Sequence, residues 1–315
     1  MLPISLNMKP LMKGALTFIP GMSSLLRQGG RQYASAPYFY GVWLKHLVML
    51  HNSGMRAIPS TLAELGPGGS LGTGLAAMLC GVDHYYALDV VEHSSIEVNL
   101  RVFDDLVELF QRRTPRPKKG WPDYDEHLDA NLFPGHILTE ELLARTLAPR
   151  RIARIRNAIV HPEASAPDVT IHYVVPWSEA GVIRPASVDL ILSHAVLTEV
   201  GELEAAYRAL YSWLKPGGLM SHQIGFDFYG FTGEWNGYWS CPEIVWKIFR
   251  GRRAFVMNRQ PCSEHIALME KQGFRFVRTM KEYKDGIRRS QLAPRWRKLS
   301  DDDLACSALF VQATK

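Results

Sequence analysis

The chain has 315 residues, a formal net charge of +5, and 47% hydrophobic residues. This length and composition suit a globular protein, either one large domain with insertions or two smaller domains. No apolar run reaches the roughly 20 residues of a spanning helix, and the basic charge balance selects no partner among nucleic acid, anionic membrane and acidic substrate.

The four cysteines are scattered along the chain and form no C-x-x-C pair. They are Cys80, Cys241, Cys262 and Cys306. The spacing therefore predicts neither a zinc site nor a disulfide framework, and no metal site is expected. Reduced thiols are the simplest interpretation, and they agree with a cytoplasmic location.

The first 32 residues are expected to form an arm separate from the main domain, which we place at 33–315. Lys9 and Lys13 precede a short apolar patch that Pro20-Gly21 interrupts, so a secretory leader is disfavoured. A flexible or interfacial arm that contacts a membrane face or a partner is favoured.

A helix is predicted over 33–51, where aromatic and apolar residues recur with a broad apolar face. Packing beside the first strand explains this face. An alternative is that Tyr38 or Tyr40 helps to close a ligand pocket.

The most informative stretch is 61–89, which reads as strand, glycine turn, helix, strand and acidic residue. Gly66 and Gly68 tolerate positive φ and let the backbone approach a ligand closely. The helix that follows presents unpaired N–H groups at its start. Asp89, at the end of the second strand, can accept hydrogen bonds from both hydroxyls of a ribose. The pattern is that of a nucleotide-binding sheet.

Two details disfavour NAD. The loop is not G-x-G-x-x-G, and Glu64 beside the turn would repel a pyrophosphate but suit a cationic amine. The segment Glu64-Leu65-Gly66-Pro67-Gly68, with Asp89, resembles the class I S-adenosylmethionine (SAM) methyltransferases. The resemblance implies SAM as cofactor. It implies these binding residues: Glu64, Gly66, Pro67, Gly68, Ser70, Gly72, Asp89, Val90, Trp177, Ser193 and His194.

An insertion is predicted at 111–167, between the second and third strands, where a minimal methyltransferase sheet needs a single helix. It holds a loop rich in proline and charge, then helical runs near 139–147 and 150–159. We expect this insertion to cover the substrate side. The second run carries four arginines, which form either a solvated face or an anion-attracting one.

Strand three is predicted at 169–175, and Trp177 after it either stacks on adenine or packs on the core. Strand four starts at Val188 and ends near Ser193-His194. The turn at 215–218 (Lys-Pro-Gly-Gly) before strand five is typical of the family. The family often has Glu-His after strand four, whereas this chain has Thr198-Glu199, so no catalytic role is carried over to that position.

The C-terminal third adds an aromatic-rich segment at 225–246, read either as core packing or as a wall for a sugar, lipid or ring substrate. A crossover helix at 263–273 and strands at 274–283 and 308–313 complete the sheet. Arginines at 288–297 form either a solvated loop or a site for an anionic acceptor. The predicted fold is therefore a doubly wound, mostly parallel seven-stranded sheet with antiparallel edge strands.

The resemblance implies in-line SN2 transfer of a methyl group. Transfer to oxygen also needs a base, for which His194, His222 and Asp227 are the candidates. The Asn/Asp-Pro-Pro-Tyr/Phe motif of nucleic-acid amino-methyltransferases is missing after strand four, so nucleic acid is disfavoured. O-methylation of a small molecule or surface glycan is favoured, with an anionic acceptor compatible with the arginines. N-methylation of a small amine and a non-catalytic SAM-binding scaffold stay open. The whole chain also resembles uncharacterised bacterial methyltransferases of this length.

Overall fold

The structure is a computed structural model. It describes residues 7–22, 35–117, 132–162, 168–177, 180–230 and 232–315.

A seven-stranded sheet forms the centre of the described chain, in the order β3-β2-β1-β4-β5-β7-β6. The strands are β1 (Thr61–Leu65), β2 (His84–Leu88), β3 (Thr170–Val174), β4 (Val188–His194), β5 (Leu214–Gly225), β6 (Arg275–Tyr283) and β7 (Cys306–Thr314). The first five strands pair in parallel, and β7 is antiparallel to both β5 and β6. This arrangement confirms the predicted doubly wound fold.

The helices cover both faces of the sheet. They are α1 (Met8–Leu16), α2 (Ala36–Asn52), α3 (Gly72–Leu79), α4 (Ile96–Gln111), α5 (Glu140–Thr146), α6 (Pro149–Val160), α7 (Leu203–Trp213), α8 (Glu243–Arg250), α9 (Cys262–Gln272) and α10 (Asp301–Ala305). One core packs α2, α3 and α4 on the sheet, and the other packs α7, α9 and the aromatic segment. Alternate β1 residues enter the two cores, Leu62 one and Ala63 the other, as the two-residue period of a strand requires.

The chain changes direction across β1, which places β2 and β3 on one side and β4 on the other. The carboxyl ends of β1 and β4 therefore flank a topological switch point. In open α/β sheets, ligands bind in the crevice at this place. Leu65 of β1 pairs with Ser193 of β4 there, so the glycine turn and the residues after β4 start side by side.

The predicted turn at 215–218 is instead part of β5. Leu214 pairs with Val188 and Leu219 with Leu190, with a register irregularity between them. Gly217 has φ +76 and donates a hydrogen bond to the carbonyl of Lys315 at 3.3 Å. The glycines thus allow a bulge inside a longer strand, since the end of the chain pairs with it.

The described helices of the predicted insertion lie at the amino edge of the sheet, opposite the switch point. From α6, Arg151 forms an ion pair of 2.8 Å with Asp83, which directly precedes β2, and donates to the carbonyl of Val82 at 2.7 Å. These helices therefore do not cover the substrate side. The rest of the insertion includes 118–131 and 163–167, which lie outside the described residues, and a cover there stays a prediction.

Candidate functional site

The glycine turn after β1 leaves open space above its backbone. Gly66 has φ +65 and Gly68 has φ +73, a region that residues with a side chain rarely adopt. A Cβ on Gly66 would lie 2.5 Å from Cγ2 of Val196, so glycine here lets the segment after β4 approach. A Cβ on Gly68 would meet nothing within 4 Å. The turn thus exposes backbone toward an unfilled space at the switch point.

Asp89 holds its carboxylate beside this space. One oxygen accepts from the backbone N–H of Gly68 at 3.3 Å, and the other from that of Val90 at 2.7 Å. Asp89 is 6% exposed, and its burial raises the pKa, although the two N–H groups and nearby His93 oppose the rise. The predicted pair of glycine turn and acidic strand end is therefore brought together.

Two of the predicted binding residues, Ser70 and Gly72, hold the turn against neighbouring helices. Ser70 is completely buried, and its hydroxyl donates to Oδ1 of Asn99 at 2.9 Å. The backbone N–H of Leu71 donates to the same oxygen at 2.9 Å. A Cβ on Gly72 would lie 2.2 Å from the ring of Phe39. Asn99 lies on α4, and its contact with the turn has no counterpart in a sequence motif.

Glu64 is a third supporting residue. It is 3% exposed and accepts a 2.5 Å hydrogen bond from the hydroxyl of Tyr85 on β2. Burial raises its pKa to about 7, against hydrogen bonds from Tyr85, Thr73 and the backbone of Gly74 that lower it. Because Thr73 and Gly74 belong to the first turn of α3, the carboxyl group ties β1 to the start of that helix.

The stability of the protein should therefore depend on pH through Glu64. The folded pKa of about 7 exceeds the ordinary 4.5, so folding retains a proton that the unfolded chain loses. The stabilisation of the folded state by this retained proton is fully present below about pH 4.5 and is lost as the pH rises through about 7. We expect the wild type to lose on the order of 3 kcal/mol relative to Glu64→Gln over that window. Urea unfolding of both proteins from pH 4 to 8 measures this, and a constant difference would contradict it.

Trp177 lies at the neighbouring strand end. Its backbone N–H donates to the carbonyl of Asp89 at 3.0 Å. Its ring is partly buried and contacts Trp213 edge-on, with centroids 5.8 Å apart. The side chain thus packs on the core beside the Asp89 strand end, and its role against adenine stays a prediction.

His194 ends β4 and is half-buried. Its ring stands edge-on to those of His46, 5.8 Å away, and Tyr38, 6.3 Å away. Its Nδ1 is buried and has no hydrogen-bond partner among the described residues. Burial lowers the pKa to about 3, and the charge of Lys45 adds to this, so the imidazole is neutral at pH 7. The contact between Tyr38 and His194 places this tyrosine at the switch point, whereas Tyr40 is buried and donates to the carbonyl of Thr114.

The other two candidate bases occupy different surroundings. His222 is completely buried on β5, its Nδ1 is 2.8 Å from the hydroxyl of Ser193, and burial lowers its pKa to about 3. Asp227 is exposed beyond the end of β5, and its carboxylate lies 3.7 Å from Nζ of Lys284. Ser193 is thereby bonded to His222 inside the sheet. Of the three candidates, only His194 combines partial exposure with a place next to the glycine turn.

The segment after β4 adds a carboxylate that the sequence motifs did not select. Glu199 is an exposed residue, but partial desolvation raises the pKa of its carboxyl group, and the nearby Asp89 charge raises it further. Asn258 holds this segment, since its side-chain amide donates to the carbonyls of Leu197 and Val200, each at 2.9 Å. Ala195 has φ +59, a strained value for a residue with a side chain. The Glu199 carboxyl group therefore lies near enough to Asp89 to sense its charge.

The aromatic and arginine-rich segments mostly serve packing in the described chain. Five aromatic residues of the 225–246 segment are buried. They are Phe226, Trp235, Tyr238, Trp239 and Trp246. In the arginine loop, Arg289 pairs with Asp301 at 2.5 Å, and Arg295 pairs with Glu243 at 3.3 Å. Core packing and a solvated loop therefore explain these residues better than an aromatic wall or an anion clamp.

The strand order, with β7 antiparallel between β5 and β6, is that of the class I SAM-dependent methyltransferase fold. No protein-family model matches the sequence, and a search of curated proteins finds no match. Several solved structures that resemble it are SAM-dependent methyltransferases.

One such structure is a SAM-dependent methyltransferase from Mesorhizobium loti. It is 14% identical, with 85% of this chain and 96% of that chain covered and a TM-score of 0.41. A SAM-dependent methyltransferase from Methanosarcina mazei is 11% identical, with 85% and 96% covered and a TM-score of 0.41. Phosphoethanolamine N-methyltransferase 2 from Haemonchus contortus, in complex with SAM, is 13% identical, with 97% and 56% covered and a TM-score of 0.41. At these sequence identities and TM-scores the similarity concerns the fold alone. The assignment of the fold rests on the strand order of this chain.

Proposed function

We propose that this chain is a SAM-dependent methyltransferase that acts on a small-molecule or glycan acceptor, with transfer to oxygen favoured. One observation carries the proposal: the buried Asp89 carboxylate stands beside the open space over Gly68, at the switch point of the sheet. A nucleoside ligand needs these two features, an acceptor for the ribose hydroxyls and a backbone without a side chain.

The residues present fit SAM. Asp89 would accept from the ribose hydroxyls, and the turn, which has no side chain at Gly68, would let the ligand approach its backbone closely. Val90, which is 40% exposed, would border the adenosine. When bound, SAM supplies an electrophilic methyl group on a positively charged sulfur. The carboxylates of Asp89 and Glu199 favour such a cationic ligand, and Glu64 would act indirectly by holding the start of α3.

A pair of glycine substitutions tests this site. Gly68 and Gly217 have nearly equal φ, +73 and +76, and a Cβ on either one would meet nothing within 4 Å. Both Gly→Ala changes should therefore destabilise the fold by a similar amount, about 1–2 kcal/mol. Only Gly68→Ala should also weaken SAM binding, by about 10-fold or more, because its methyl group would fill the ligand's space. Equal SAM affinities of the two variants in calorimetry would contradict the site.

For the base, we propose His194, with Nε2 accepting the acceptor's proton because Nδ1 is buried. The lowered pKa leaves the imidazole unprotonated above about pH 3, with the Nε2 lone pair free, although the same shift makes it a weaker base than an ordinary histidine. Its position at the end of β4, edge-on to Tyr38 and beside the glycine turn, supports this role.

His194→Ala should leave SAM affinity within about twofold and lower kcat by about 100-fold or more, the usual range for a lost general base. The wild-type kcat should not fall between pH 8 and 6, as it would for a histidine with an ordinary pKa near 6.5. Steady-state assays with an oxygen acceptor measure both. Full activity of the variant would exclude His194 as base. The rate enhancement would then come from holding the acceptor in line with the methyl group.

The carboxylate of Glu199 favours a second candidate, N-methylation of a small amine. In the described part of the chain, neither Glu199 nor Asp89 forms a salt bridge, so a cationic ligand could neutralise both. An acceptor screen that compares sugars, acids and phenols with small amines separates the candidates. Under N-methylation, Glu199→Gln should raise KM for the amine, and His194→Ala should have little effect.

A further inference from the structure

The outward faces of α1 and α8 concentrate exposed apolar side chains. Met8, Met12, Ile244 and Ile248 lie on these helices, Phe18 and Ile19 follow α1 directly, and the six are 40–72% exposed. These are six of the 13 exposed large hydrophobic residues among those that the structure describes. We call this the α1–α8 surface. Scattered single residues need no explanation, but these six lie on or next to two helices that pack on each other, and such a concentration calls for a partner.

The apolar face of α1 points outward, because α1 uses other residues to pack on α8. A Cβ on Gly14 would lie 2.3 Å from the carbonyl oxygens of Ile248 and Phe249. Thr17 accepts from the backbone N–H of Arg252 at 2.8 Å. With 3.6 residues per turn, Met8 and Met12 stand on the side opposite Gly14. The docking on α8 therefore leaves a second apolar face in contact with solvent.

Cations surround this face. Five basic residues on the two helices and the turn after α8 are exposed: Lys9, Lys13, Lys247, Arg250 and Arg252. The acidic residue of α8, Glu243, is paired with Arg259 at 2.6 Å and with Arg295 at 3.3 Å. The partner should therefore be both apolar and anionic. Helices that combine exposed Met, Phe and Ile with flanking Lys and Arg suit the headgroup region of an anionic bilayer.

The same surface is connected to the candidate active site. Nη2 of Arg250 lies 3.7 Å from the position of a Cβ on Gly201, just after the segment that holds Glu199. Asn258 holds that segment by hydrogen bonds, and Phe255 contacts the ring of His93, four residues after Asp89, with centroids 5.8 Å apart. A bilayer against α1 and α8 would therefore lie near the rim of the cleft.

We propose that the α1–α8 surface binds anionic lipid bilayers peripherally. The membrane-borne acceptor that this implies, a lipid or a lipid-linked glycan, rests on the proposed function, whereas the binding itself does not. None of the helices in the described ranges is long and apolar enough to span a bilayer. The contact would therefore be made in the interface plane, by α1 and α8 lying on the lipid.

Sedimentation of the full chain with vesicles tests this. We expect at least 10-fold tighter binding to phosphatidylcholine vesicles with one third phosphatidylserine than to phosphatidylcholine alone, and weaker binding at high salt. Met12→Glu with Ile244→Glu should abolish it, and Lys9→Glu with Lys13→Glu should weaken it. The matched control is Val277→Glu, since Val277 is a similarly exposed residue on β6, 45% accessible.

Equal binding by the Met12→Glu/Ile244→Glu variant, or no binding by the wild type, would overturn the proposal. Loss of a wild-type dimer in that variant, without vesicle binding, would also overturn it by making the surface a protein interface. SAM calorimetry on the same variants separates this result from the proposed function. Affinity for SAM should be unchanged in them, whatever the vesicles show.

Discussion

Replacing Asp89 with alanine is expected to weaken SAM binding by about 10- to 150-fold. The two carboxylate oxygens are held by the N–H groups of Gly68 and Val90, which direct the charge to the edge of the open space. Losing charge-assisted bonds to the ribose costs about 1.5–3 kcal/mol, which converts to that range of dissociation constants. Calorimetric titration of the wild type and the variant measures the ratio.

The conservative change Asp89→Asn should have a smaller effect, because it keeps an oxygen acceptor but loses the charge. Asp105→Ala serves as a matched control, since Asp105 is an exposed carboxylate on the outer face of α4. Circular dichroism shows whether each variant is folded. Unchanged SAM affinity in a folded Asp89→Ala protein would remove Asp89 from the site.

The largest expected loss of stability comes from Gly74→Ala. A Cβ on Gly74 would lie 2.0 Å from Cζ of Tyr85, whose fully buried ring cannot move aside because its hydroxyl is bonded to Glu64. Overpacking of this kind costs about 3 kcal/mol, more than alanine gains over glycine in a helix. Urea unfolding should show a lower midpoint with an unchanged slope.

A double-mutant cycle isolates this contact. In a Tyr85→Ala background the ring is gone, so Gly74→Ala should cost little free energy of unfolding. The higher helix propensity of alanine over glycine should then become measurable. Gly135→Ala is the surface control, because a Cβ there would meet nothing within 4 Å. If Gly74→Ala is equally costly in both backgrounds, the close contact between α3 and β2 is not the cause.

The switch-point residues could be predicted from the sequence because they are encoded locally. The glycine turn and Asp89 each follow a short apolar strand, and parallel strands bring their carboxyl ends to one edge. The structure accordingly places Gly68 and Asp89 in contact. The antiparallel edge was predictable for a different reason. The resemblance to the family supplied the strand order, which the pattern of a single strand does not give.

Long-range packing could not be predicted in the same way. The helix containing Arg151 was expected on the substrate side, but its ion pair with Asp83 holds it at the amino edge. Helical periodicity shows which face is apolar but not which part of the sheet that face meets. Nor does any local pattern reveal that Asn99 holds the glycine turn, or that β5 continues to Gly225, so that His222 lies inside the strand and wholly inside the core.

Calorimetric titration of the purified protein with SAM, S-adenosylhomocysteine and NAD tests the central claim most directly. The site proposed at Gly68 and Asp89 predicts micromolar binding of SAM and S-adenosylhomocysteine and no binding of NAD, because the loop is not G-x-G-x-x-G and the Glu199 carboxylate would repel a pyrophosphate. Binding of NAD, or of none of the three, would contradict the assignment of this crevice to SAM and, with it, the proposed methyl transfer.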